Sequence, residues 1–162
     1  MLPTRSRDSY RSVSGLGVFN PSREEARRFL IETLAKKQSH AIMTPLETVA
    51  ADWLVLHPEY FSTFESGDED AIGKDYTPEG GAPNPFLHVS MHLSITEQVS
   101  IDQPKGIAAA VNALATRLGS LHDAHHAVME CLADMLWNAQ RNNTPLDGAA
   151  YVACVERCAG LR

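Results

Sequence analysis

Apolar residues recur every three or four positions in several stretches of this chain, and nowhere do they alternate in the two-residue rhythm of a half-buried strand. In FNPSREEARRFLIETLAKK, Asn20 or Ser22 can cap a helix, Pro21 presets its first turn and Glu25 completes a capping box with Ser22, which predicts a first helix from about Pro21 to Lys37. Thr44, Pro45 and Glu47 repeat the start signal. Leu46, Val49, Ala50, Trp53 and Leu54 then form a stripe that ends with His57 before Pro58 stops the helix. Residues 58–83, rich in Gly, Pro and acid (ESGDED, TPEGGAP), hold no period and read as a long loop with the character of a lid. Asn84 and Pro85 open a third helix that ends before Pro104. A fourth runs from near Lys105 to Gly119, a fifth from Ser120 and Asp123 to about Arg141, and a last one starts at Asp147 with Tyr151, Val152, Val155 and Cys158 on one side. The expected fold is all-α: a single-domain helical bundle of five to six helices with a long loop between the second and third.

That pattern sharpens one oddity. In NPFLHVSMHLSITEQ, His88 and His92 lie one turn apart among Phe86, Leu87, Val89, Met91 and Leu93, on the side opposite a polar face of Ser90, Ser94 and Glu97. A buried imidazole keeps two polar nitrogens, and each left unmet costs about 1–3 kcal/mol. The fifth helix offers partners, since His122, His125, His126 and Glu130 occupy three of its turns beside Leu121, Val128, Leu132 and Leu136. Which of them point inward depends on the rotation of that helix.

Two readings follow. In the first, His88 and His92 face His122 and His126 across the bundle with Glu130 as a carboxylate ligand, while His125 and His57 are further candidates. A mixed imidazole and carboxylate set favours a divalent transition metal (Zn, Fe, Mn or Ni) over calcium or magnesium. With a position left open, such a centre can acidify water for hydrolysis or activate a small molecule. In the second, the histidines form a hydrogen-bonded network in a non-catalytic interaction module, as His40 and His57 individually would by bonding a nearby carboxylate or carbonyl.

Composition narrows the surroundings. With 162 residues, 44% hydrophobic, 21% charged and a net charge of -6, the chain has the size of one ordinary domain and no pull toward nucleic acid or a membrane; a homo-oligomer stays open. Neither a membrane-length apolar run nor a secretory signal is seen, so a cytoplasmic location is expected. Three cysteines, with Cys154 and Cys158 one turn apart, suit reduced thiols packed as core better than disulfides or a soft-metal site, and Cys131 reads likewise. Glu65, Asp68, Glu69 and Asp70 lack the order of a calcium loop. Trp53 and Trp137 read as core aromatics. No phosphate loop, nucleophile elbow or Ser/His/Asp signature appears. Residues 1–17 bury too little to order themselves and form an extension outside the 18–162 domain, with Val18 as a candidate initiator.

FNPSREEARRF, NPFLHVSMHLSITEQVSIDQP and HHAVMECLADMLWNAQRN together resemble a family of small proteobacterial proteins catalogued as a domain of unknown function, over roughly residues 18–155. The resemblance implies a shared helical fold and assigns no activity. By spacing alone, His88-x-x-x-His92 and His126-x-x-x-Glu130 also look like ligand pairs of haemerythrin-like bundles and of three-histidine bundles related to damage-inducible proteins, an analogy of architecture that carries no residue roles.

Overall fold

The Ser22 hydroxyl accepts from the Glu25 backbone N–H at 3.2 Å, and the Glu25 carboxylate accepts in return from the Ser22 N–H at 3.4 Å. This reciprocal cap starts α1 (Arg23–Gln38). Thr44 and Glu47 build the same device at 3.2 and 2.9 Å for α2 (Pro45–Val55), and Lys36 reaches the Glu47 carboxylate at 2.7 Å to tie the two helices together. The computed structural model describes residues 22–66, 72–76 and 84–162; the expected extension over 1–17, Val18, Asn20 and Asp68, Glu69 and Asp70 lie outside the described residues.

After α2 come a short 3-10 turn (Pro58–Tyr60), α3 (Phe61–Ser66), α4 (Pro85–Ile101), α5 (Ile107–Leu118), α6 (Leu121–Asn142) and α7 (Gly148–Cys158). The described residues hold no strand, so the fold is all-α as expected, but among them are seven α-helices instead of five or six. The additional helix falls in the segment expected to be loop. Phe64 explains it: six residues cannot hold a helix by propensity alone, yet this side chain is 1% exposed and meets Phe86 edge to face with ring centroids 5.0 Å apart. A run that short shows no period in sequence.

The chain divides into two compact units, one comprising the described residues up to Leu93 and one running from Ser94 to Arg162. In the first, Leu30 and Leu34 of α1, Ala50, Trp53 and Leu54 of α2, Phe64 of α3 and Phe86 and Val89 of α4 form one buried cluster. Arg27 is buried beside it, where Nη1 donates to the carbonyls of Ile72 and Lys74 at 2.7 Å each and the guanidinium lies 4.9 Å from the Phe86 ring centroid. His40, expected as a core histidine, is instead exposed at the turn after α1 with φ 55, a place where the chain reverses in solvent.

In the second unit α5, α6 and α7 pack against one another, burying Val111 and Leu114, Val128 and Leu132, and Tyr151, Val152 and Val155. The α4 to α5 connection is fixed by Asp102, whose Oδ1 accepts from the backbone N–H groups of Gly106 at 3.0 Å and Ala108 at 3.1 Å. Trp137 is 56% exposed, against the expectation of a core aromatic; it faces solvent on α6 and carries the Arg141 guanidinium 4.8 Å above its ring.

Candidate metal centre

His57 follows the last turn of α2. Pro58 forbids the helix from continuing, so the backbone at His57 departs to φ -125, ψ 60 and the next turn begins. The ring is buried, 2% exposed. Its Nδ1 lies 2.9 Å from Glu59 Oε1, and its Nε2 lies 2.9 Å from His92 Nε2. A carboxylate can only accept, so Nδ1 carries the proton and Nε2 of a neutral ring presents its lone pair toward His92. The same bond, as the main cause, holds the Glu59 carboxyl below the usual carboxylate range.

His92 and His88 come from the same face of α4, which Asn84 caps by accepting from the Leu87 N–H at 3.1 Å. His92 is fully buried and stacks on Trp53, centroids 4.2 Å apart and planes 12° from parallel. His88 is half-buried, 4.6 Å from the His57 centroid and 4.9 Å from that of His92, both edge to face. A nitrogen from each of the three rings lies within 4.8 Å of the others. Tyr60 closes one side, stacked 5.3 Å from His57, and burial, then the Glu59 charge, pushes its hydroxyl pKa up. Three imidazoles converging within the first unit can share protons among themselves or turn lone pairs toward a common cation.

On α6, in the second unit, the His122 and His126 rings lie 4.4 Å apart, both half-buried. His125 is buried, and desolvation, with His122 and His126 adding to it, lowers its pKa to about 4, which keeps it neutral near pH 7. Glu130 is exposed, as is Leu121, which was expected on the apolar side. The structure thus brings His88 and His92 together as the spacing implied, and promotes His57 from a further candidate to the middle of the group. Glu59 went unnoticed, although a carboxylate two residues after a stripe histidine, across a helix-breaking proline, was a readable signal.

The cysteines depart from expectation. Cys131 and Cys154 form a disulfide with Cα atoms 5.8 Å apart, and Cys158 is free and exposed. Reduced core thiols were expected from three cysteines with Cys154 and Cys158 one turn apart; the bonded pair instead lies 23 residues apart on separate helices, which only packing of α6 on α7 brings together.

Residues 22–157 match a family model described as a domain of unknown function, DUF1841. The chain belongs to the DUF1841 family. The DUF1841 match contains all seven histidines with Cys131 and Cys154, and ends one residue before Cys158. No curated protein and no solved structure matches the chain, so no relative of known structure stands behind the likeness to haemerythrin-like bundles. No described helix is long and apolar enough to cross a membrane.

Proposed function

We propose that this DUF1841 protein binds a divalent transition metal, Zn, Fe, Mn or Ni, through its histidines, with His57 and His92 as a facing pair and His88 as the third donor. The observation that carries the reading is the chain Glu59–His57–His92, in which a carboxylate fixes the tautomer of one ring while its far nitrogen faces another imidazole at 2.9 Å. Carboxylates that hold a ligating histidine in this way recur at metal sites, because they orient the ring and raise its basicity. As separate candidate ligands on α6 we keep those expected from sequence, His122, His126 and Glu130, with His125 as a further one. A centre with one position open to water would suit metal-assisted hydrolysis or small-molecule activation. We place the protein in the cytoplasm.

The test is metal analysis of untagged protein. About one transition-metal ion per chain is expected, lost in the His57→Ala, His92→Ala double variant. Metal-free protein whose unfolding temperature does not rise on adding any of the four ions would overturn the proposal, since a ligand that binds only the folded state must stabilise it.

A second reading has its own support. The separation of the His57 and His92 nitrogens is an ordinary hydrogen-bond length, and a ring network of this kind would hold α2 and α4 in register with no ion. It predicts the metal-free outcome above.

A further inference from the structure

Three sulfur atoms gather at the end of the second unit. Cys131 sits on α6, Cys154 and Cys158 one turn apart on α7, and their Sγ atoms lie within 4.8 Å of one another although only Cys131 and Cys154 are bonded. Cys158 is held there. Its carbonyl accepts from Arg117 Nη1 at 2.9 Å, which ties the last turn of α7 to α5. A cavity of about 320 Å³ adjoins the bonded pair, lined by Cys131 and Cys154 together with Asp134, Met135, Tyr151 and Arg157, but not by Cys158.

We propose that these cysteines form a thiol–disulfide exchange centre in which Cys131 alternates between Cys154 and Cys158, moving the free thiol between the surface and the cavity. Positions one helical turn apart present both partner sulfurs to the same side of α7, so either can reach Cys131 from across the helix interface. The step is balanced within the chain. Cys158 Sγ loses its proton to water and attacks Cys131 Sγ; the bond to Cys154 breaks, its electron pair leaves on Cys154 Sγ, and that thiolate takes up a proton. One disulfide is exchanged for another with no net oxidation.

The new free thiol, Cys154, then lies at the wall of a cavity bordered by the Arg157 guanidinium and the Asp134 and Asp147 carboxylates. With Asp134 and Asp147 lining the cavity as well as Arg157, the ligand class that fits is a small disulfide, RS–SR, carrying both ammonium and carboxylate groups: Cys154 thiolate attacks one of its sulfurs, forms Cys154–S–SR and releases RS⁻. In a cytoplasmic protein, disulfides are usually transient and tied to redox chemistry, which is the behaviour this arrangement provides.

The experiment is non-reducing peptide mapping of the full chain. Reduced protein is oxidised with oxidised glutathione, quenched in acid, alkylated and digested. Wild type is expected to yield both Cys131–Cys154 and Cys131–Cys158 peptides, with glutathione attached at Cys154. Cys154→Ser should still form Cys131–Cys158, and Cys158→Ser should form only Cys131–Cys154 and lose the glutathione adduct. Wild type that yields Cys131–Cys154 alone, yields no cross-link, or carries glutathione only at Cys158 would overturn the proposal, and those readouts need no variant to fold.

Discussion

Glu59 Oε1 lies 2.9 Å from His57 Nδ1 and so joins a carboxylate that is largely in solvent to an imidazole that is not. That asymmetry makes Glu59 the most accessible handle on the site, because replacing it leaves the packed rings in place. Glu59→Ala is expected to keep the fold and to lower metal affinity by about 10–100-fold, the usual effect of removing a carboxylate behind a ligating histidine. Competition against a chromophoric chelator measures it. Unchanged affinity would mean that Glu59 does not hold the ring.

His92 should matter to stability even without metal. Its ring is fully buried on Trp53, and truncation leaves a cavity and deprives His57 Nε2 of its partner. His92→Ala is expected to cost about 2–4 kcal/mol by cavity formation and a lost polar contact. Urea denaturation in excess chelator, compared with wild type under the same conditions, gives the number; a loss within error would show that the ring is not part of the core.

These two cases mark what could be read in the sequence. The spacing of His88 and His92 on an apolar helix sufficed to place them together, because helical geometry is local. His57 needed tertiary information, since its role depends on α2 packing so that a residue just past its end meets a residue in the middle of α4, whereas its contact with Glu59 two residues on is local. The capping boxes at Ser22 and Thr44 were equally local and equally legible. By contrast, α3 owes its existence to Phe64 meeting Phe86, and the Cys131–Cys154 bond to α6 meeting α7, contacts that leave no periodic trace. Trp137 misled for the opposite reason, since an aromatic residue is equally at home on a surface beneath an arginine.

Thr33 offers a test of the first unit's core free of metal chemistry. It is fully buried on α1, and its hydroxyl has no hydrogen-bond partner among the described residues. Thr33→Val keeps the shape and removes the unmet polar group, so it is expected to stabilise by about 1 kcal/mol. Chemical denaturation checks the sign: a destabilised variant would mean that the hydroxyl has a partner.

Asp102 should govern part of the acid response. The Ala108 N–H, then Lys105 and the Gly106 N–H, hold its carboxyl below the ordinary carboxylate range. Its folded pKa is therefore lower than its unfolded one, and the stability it contributes is present above about pH 4 and lost as the pH falls through the folded value. Asp102→Asn keeps an acceptor and tolerates the left-handed backbone at φ 50, but cannot titrate. Wild type should be the more stable at pH 7, with the gap closing at low pH; a gap independent of pH would assign the effect to shape.

Tyr151 and Gln98 should behave as a coupled pair. The Tyr151 hydroxyl donates to Gln98 Oε1 at 2.7 Å with both side chains buried, and burial pushes the Tyr151 pKa up, so the phenol remains a donor across the working pH range. Tyr151→Phe leaves the Gln98 carbonyl oxygen without this donor and is expected to cost about 1–3 kcal/mol. Gln98→Leu removes the acceptor and strands the hydroxyl, with a smaller loss because it also removes the buried Gln98 Nε2, which has no partner among the described residues. Their double variant replaces both ends by apolar groups and should be less destabilised than the sum of the singles, because only one half of a broken pair pays for burial without a partner. Strict additivity in a double-mutant cycle would show that the two groups do not share a bond.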